Sequence, residues 1–271
     1  MTKPAKNTGG GHGGISFSDG FLTKPTSKKE VATFRLFKQS VDEDTRKTFL
    51  PPIPEDFEVD ETTIRLGDIT YGMADARVMD IKIGFKTVSK TELKESGVGF
   101  IKRNVKKRKL KFADWYTKSS TRGYRVVSAA GVQGTRQQVA RMDLAVVLAI
   151  YFGVSPHSKD NTSPEAKARL KAAFSFLMQL KELHTSEFVT KYRMIAASVL
   201  NSFDMNDPDR KGGCVMKLID FAHTDILPEE KGSAKYANYQ KFIGYFSRGL
   251  SYLIVDVTNF CKDAGALDPQ A

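Results

Sequence analysis

The chain has 271 residues, 41% of them hydrophobic, and a formal net charge of +11. That length can bury one large core or two lobes sharing a cleft, and the positive balance points to a polyanionic partner: nucleic acid, anionic lipid or a small phosphorylated molecule. The two cysteines, Cys214 and Cys261, lack metal-ligand spacing and exclude a disulfide framework and a structural zinc site; no apolar run approaches a membrane span.

The N-terminus lacks the apolar core of a secretory signal, so a soluble intracellular protein, cytoplasmic or nuclear or both, is expected. Residues 1–10 are polar and glycine-rich and read as a disordered tail. In GHGGISFSDGFLTKP, the pair Asp19-Gly20 between apolar runs predicts a β-hairpin, because both turn positions want positive φ. Its second strand carries Lys24, after the glycine-rich stretch Gly9 to Gly14; glycine-rich backbone followed by a strand lysine is one way to hold nucleotide phosphates. KKEVATFRLF (28–37) predicts a helix, FLPPIPEDF (49–57) a proline-broken loop and TTIRLGDIT (62–70) a strand.

The stretch ARVMDIKIG (76–84) places an acid and a base inside an otherwise apolar strand. At a period of two, Val78, Asp80 and Lys82 share one face while Met79, Ile81 and Ile83 share the other. The apolar face wants a core. The charged face must look into water, an ion pair or an anionic ligand, because an unpaired buried charge costs several kcal/mol. Lys102, Arg103, Lys106, Lys107, Arg108, Lys109 and Lys111 then form a basic segment that at helical spacing wraps more than one face, more charge than a salt-bridged surface helix needs, so an anion-binding surface is favoured over a solvated helix or a nuclear-import signal.

GYRVVSAAGV (123–132) returns as a strand, and QQVARMDLAVVLAIYFG (137–153) reads as one helix. SPEAKARLKAAFSFLMQLKELH (163–184) predicts another, with Ser163 as N-cap, Pro164 first, and Leu170, Ala173, Phe174, Leu177 and Met178 as its apolar stripe. FVTKYRMIAASVLNSFD (188–204) is apolar enough for a buried strand, and CVMKLIDFAHTD (214–225) reads as a strand ending in a polar cluster with Asp220 and His223. YQKFIGYFSRGLSYLIVDVTNF (239–260) reads as a closing amphipathic helix.

There is no GxxxxGK[ST], HExxH, GxSxG or Rossmann fingerprint, and no HRDxxxxN loop of protein kinases. What remains is a strand lysine, a charged strand face, a basic segment and a carboxylate at a strand end. Phosphoryl transfer needs this inventory: cations on nucleotide and acceptor phosphates and a carboxylate for a metal ion.

These residues resemble the inositol polyphosphate kinases. Asp80, Lys82 and Gly84 match the family's PxxxDxKxG signature, with Ala76 in the proline position; IDFAHT (219–224) resembles its metal-binding DFA(H/K) motif. LGDIT is similar to the segment linking the lobes, STRGYRVVSAAGV to the strand after the inositol-binding helix, AASVL (196–200) to a degenerate SSLL motif, and RGLSYLI to the closing helix. The likeness covers roughly residues 11–258.

The resemblance implies an α+β, two-lobed kinase-like fold, with a small β-rich N-lobe (11–70), a larger α/β C-lobe (71–262) holding an inositol-binding segment (90–122), and a flexible tail (263–271). It implies an ATP- and Mg2+-dependent transfer of the γ-phosphoryl group to an inositol polyphosphate, with ATP in the cleft. Lys24 would contact ATP phosphates; Gly67, Asp68 and Ile69 would line the adenine, through the backbone of Gly67 and Ile69; Asp80 would hold the ribose. Lys82 would face the inositol phosphate and the transferred group, Asp220 would bind magnesium, and both would carry catalysis. His223, Lys106, Lys107, Arg108 and Lys111 would bind the substrate. Gly67 stands where the family usually has an acid. The short stretch between Gly84 and Gly123 looks closer to the multikinase and hexakisphosphate kinase branches than to the trisphosphate 3-kinases. A monomer without a nucleic-acid partner is expected; the rival readings are a silent inositol-phosphate scaffold and a basic nucleic-acid-binding protein.

Overall fold

The computed structural model describes residues 14–86, 114–226 and 232–267. The basic run 102–111, with Lys106, Lys107, Arg108 and Lys111, lies outside these residues.

The first sheet is antiparallel with order β1-β2-β4-β3, where β1 is Ser16–Ser18, β2 Phe21–Pro25, β3 Glu58–Asp60 and β4 Thr63–Gly67. Asp19 (φ 51°) and Gly20 (φ 81°) form the expected hairpin turn. Helix α1 (Lys28–Ser40) starts at Ser27, whose hydroxyl accepts the Glu30 amide at 3.1 Å, and buries Val31, Phe34 and Phe37. A second helix, α2 (Glu43–Phe49), was not expected from the sequence. It is short, but Asp42 caps it through the Thr45 amide at 2.8 Å, and Lys217 donates to the carbonyl of Thr48 at 2.8 Å at its far end.

The second sheet is also antiparallel, with order β6-β5-β8-β9: β5 is Ala76–Ile83, β6 Tyr124–Ala129, β8 Ser198–Asp204 and β9 Val215–Ile219. A two-stranded ribbon of β7 (Tyr192–Met194) and β10 (Thr224–Ile226) stands beside it. The helices are α3 (Ser119–Arg122), α4 (Arg136–Arg141), α5 (Leu144–Phe152), α6 (Pro164–Thr185), α7 (Glu187–Lys191) and α8 (Ala234–Ala264). One hydrophobic core runs through both lobes: Phe34 and Phe37 of α1 meet Phe221 at ring-centre distances of 5.4 and 4.9 Å.

Four expectations change. The helix read over 137–153 is two, because Asp143 caps α5 through the Ala145 amide at 2.8 Å and starts a new axis. The strand read over 188–204 is α7, β7 and β8, with a break at Ala196 (φ 59°). On α6 the stripe is rotated: Ala172, Phe176, Leu180 and Leu183 are buried beside Leu170, Ala173 and Leu177, whereas Phe174 and Met178 are 37% and 47% exposed. At the C-terminus, α8 runs past residue 262 to Ala264, and Ala266 and Leu267 pack on the core.

Candidate active site

The strand β5 splits as its period requires. Met79, Ile81 and Ile83 are buried in the core, and Asp80 and Lys82 stand half-buried on the other face. Lys82 pairs in register with Ser198 of β8 and Arg125 of β6, and Ser198 pairs with Ile219 of β9. The next residue after Ile219 is Asp220, so the sheet brings two distant motifs together: the Lys82 ammonium lies 3.6 Å from the Asp220 carboxylate. Beside Asp80 the β5–β6 ladder skips Val127, a bulge of the kind that re-aims side chains next to functional sites.

Asp80 is the electrostatic oddity of this face. Burial, and then the negative charge of Asp220, push its carboxyl up to about 6, while Ser198, Lys82 and Arg136 pull the other way. Its Oδ1 is buried and has no hydrogen-bond partner among the described residues. Asp220 sits at φ 67°, a left-handed conformation that aspartate adopts more readily than most non-glycine residues.

Lys24, on β2, reaches the same region through Glu30. The lysine donates to Glu30 Oε1 at 3.1 Å, Thr26 donates to Oε2, and the amide of Phe221 donates to Oε1 at 3.2 Å. One buried carboxylate of the N-lobe helix therefore holds both the strand lysine and the backbone next to Asp220. Sequence reasoning missed Glu30, since Ser27-Lys-Lys-Glu30 reads as a helix-capping pattern. The signal was available: a glutamate three residues inside a helix that follows a strand lysine.

The connection between lobes is fixed at both ends. The Gly67 amide donates to Pro52 O at 2.7 Å, and a Cβ at Gly67 would come 2.6 Å from the Pro52 side chain. That contact accounts for glycine at a position where an acid is usual. The Asp68 carboxylate is committed to a local turn, accepting from the Thr70 amide at 2.8 Å and hydroxyl at 2.7 Å, and its amide donates to Gly20 O at 2.8 Å. Downstream, the buried Asp204 accepts the amides of Ala74 at 2.7 Å, Asp75 at 3.1 Å and Asn206 at 3.0 Å. This anchor holds the chain just before β5.

His223 is exposed at the turn before β10, and its carbonyl accepts the Ile195 amide at 3.2 Å. Two residues on, Asp225 pairs with Lys29 of α1 at 3.3 Å and with the buried Arg193, which lies over the Tyr239 ring at 4.0 Å. The structure thus gathers Lys24, Asp80, Lys82 and Asp220, places Gly67 to Ile69 at the end of β4 before β5, and leaves His223 exposed at the turn before β10. Among the described residues no three His, Cys, Asp or Glu side chains form a complete metal cage. A cluster of two carboxylates and two lysines suits an ion shared with phosphate oxygens.

The family model for inositol polyphosphate kinase matches residues 63–254. Among solved structures, inositol phosphate multikinase Ipk2 from S. cerevisiae, in complex with ADP and Mn2+, shares 17% identity at a TM-score of 0.61, over 89% of this chain and 99% of that one. An inositol phosphate multikinase studied by protein engineering shares 19% identity at a TM-score of 0.57, over 84% of this chain and 98% of that one. No curated protein matches. The structural likeness carries the two-lobed kinase-like fold, and the family match, which spans most of the chain and both motifs around Lys82 and Asp220, makes it a member of the inositol polyphosphate kinase family.

Proposed function

We propose that the protein transfers the γ-phosphoryl group of ATP to an inositol polyphosphate with the help of a divalent cation such as Mg2+. The observation that carries this reading is the convergence of Asp80, Lys82 and Asp220 on one sheet face, with Lys24 tied to the same region through Glu30.

The residues fit a divalent ion. Two neighbouring carboxylates, one with an unpartnered buried oxygen, carry more negative charge than Lys82 alone offsets. Asp220 would hold the ion with Asp80 beside it, and the bound ion would neutralise charge on the ATP phosphates. The Ipk2 structure with ADP and Mn2+ supports a nucleotide and a metal here as well.

Lys24, held by Glu30, contacts the ATP phosphates in this reading, and the neighbours of Asp68, whose own amide is occupied, offer backbone groups to adenine. Lys82 spans the transferred group and the acceptor. The resemblance assigns Asp80 to the ribose, but its closeness to Lys82 and Asp220 favours the transfer end. There it takes the proton from the attacking hydroxyl as the new P–O bond forms and ADP leaves. Lys106, Lys107, Arg108, Lys111 and His223 remain candidates for the other inositol phosphates. The silent-scaffold alternative has to leave Lys24, Lys82 and Asp220 without a purpose.

Incubation with ATP, Mg2+ and a panel of inositol phosphates, followed by separation of the products, tests the proposal. The expected result is ADP plus an inositol species carrying one more phosphate. Unchanged inositol phosphates across the whole panel would refute it.

A further inference from the structure

One face of α8 mixes unmatched cations with exposed apolar groups. Lys241, Tyr245, Arg248, Tyr252 and Val255 follow one another at steps of four and three, the spacing of a single helix face, and Lys86 joins them from beyond the end of β5. Lys86, Lys241 and Arg248 place their charges 5.4, 5.9 and 5.6 Å from the centre of the Tyr245 ring, and Arg248 also covers Phe85 at 5.3 Å. All three cations are exposed, and none has a carboxylate partner among the described residues. Tyr252 and Val255 are 46% and 55% exposed. On the N-lobe the surface behaves differently: Arg35, Lys38 and Lys47 are matched with Glu58, Glu55 and Glu43. Helix α8 has no acid before Asp256, and that carboxylate accepts the Tyr124 hydroxyl on the packed side.

Three like charges around one ring repel, and exposed cation–π contacts offset that only in part, so the face calls for an anionic cover. The chain's own residues 87–113 carry nine lysines and arginines against two glutamates, the wrong sign for this role. A second copy would set these cations against their equivalents across a two-fold axis. Nucleic acid bases need bare rings to stack on, whereas the rings of Tyr245 and Phe85 already lie under Arg248 and the lysines. An anionic lipid surface suits the whole stripe: headgroups meet the cations, tyrosines settle at the interface with the ring in and the hydroxyl out, and Val255 reaches the acyl boundary. Among the described residues no helix is long and apolar enough to cross a membrane, so the contact is peripheral. Tyr124 pairs with Ile83 on the buried side of β5 and holds α8 there through Asp256, so docking leaves the opposite face, with Asp80 and Lys82, open.

We propose that the stripe of Lys241, Arg248, Tyr252 and Val255, together with Lys86, docks the protein on an anionic membrane surface. The packing behind it is rigid. A Cβ at Gly249 would collide with the Gly123 carbonyl and lie 3.1 Å from the Gly84 amide, so the helix presents the stripe without a hinge between it and the strand.

The test is co-sedimentation of the full chain with phosphatidylcholine vesicles, with and without phosphatidylserine, after thermal melts have shown each variant to be folded. Wild type should bind only the vesicles with phosphatidylserine. Each lysine or arginine near such a surface contributes about fivefold, so K86Q/K241Q/R248Q should weaken binding at least about thirtyfold. The control K28Q/R35Q/K47Q removes the same charge from α1 and α2 and should stay within about twofold of wild type. Y252S/V255S leaves the charge unchanged and should still weaken binding at least about threefold, because apolar contact with the bilayer is lost. Arg248→Gln and Val255→Ser alone serve if the combined variants fail to fold. Equal losses in the stripe variant and the control would overturn the proposal, since attraction would then follow net charge alone. So would stripe variants that keep wild-type vesicle binding, or that lose retention of duplex DNA in place of it.

Discussion

Glu30 and Lys24 form an ion pair at 3.1 Å across the start of α1, and the same Glu30 oxygen accepts the amide of Phe221, one residue past Asp220. The N-lobe lysine and the C-lobe carboxylate are thus registered through one buried side chain. Glu30→Gln keeps the shape and a donor–acceptor pair but removes the charge that steadies Lys24. We expect kcat/KM for ATP to fall at least about tenfold, near 1.4 kcal/mol, with a small loss in Tm. Steady-state kinetics beside a thermal melt reads both; unchanged kcat/KM would make Glu30 a purely structural contact.

Lys82→Met keeps the apolar stem, and β5 still packs through Met79, Ile81 and Ile83. A cation needed as charge shifts in the transition state shows its loss in kcat, so a fall of at least about a hundredfold, some 2.7 kcal/mol, is expected with little change in Tm. A variant that unfolds while its soluble fraction turns over normally would make Lys82 a structural ion-pair member.

Asp80→Asn separates two roles. A proton acceptor at the transfer end loses kcat with a near-constant KM for ATP, whereas a ribose ligand raises that KM first. The ratio of the two changes decides between them.

Asp204 gives the fold an acid-sensitive anchor. Burial pushes the pKa of its carboxyl up, but the amides of Ala74, Asp75, Asn206 and Asp207 together pull it further down, so it lies below the ordinary carboxylate range. A group depressed in the folded state contributes stability above its unfolded pKa of about 3.9, and that contribution disappears as pH falls through the lower folded value. Asp204→Asn should lower Tm at neutral pH and flatten the drop in Tm below about pH 4. Parallel melting curves of the two proteins across that range would contradict the assignment.

Much of this site was legible in the sequence because its signals are local. The period of two over Val78 to Ile83 separated the charged face from the core, and the Asp19-Gly20 turn and the Ser163 cap came out as expected. The rest depends on tertiary contacts. Apolar residues continue on both sides of Asp143, so only the observed cap shows that two helices meet there. The outward turn of Phe174 and Met178 follows from where the second sheet and α8 press on α6, which a single helix cannot encode. Glu30 was hidden because its capping position explains it locally, while its partners Lys24 and Phe221 lie in other elements.

The most direct measurement of the central claim is turnover of inositol phosphate by Asp220→Asn against wild type, with ATP and Mg2+. Asparagine tolerates the left-handed backbone at φ 67°, so this change removes the anionic ligand and leaves the local fold. The proposed mechanism predicts matching melting curves, ATP-dependent phosphorylation of an inositol polyphosphate by wild type, and a loss of product formation in the variant. Near wild-type turnover by Asp220→Asn would contradict it.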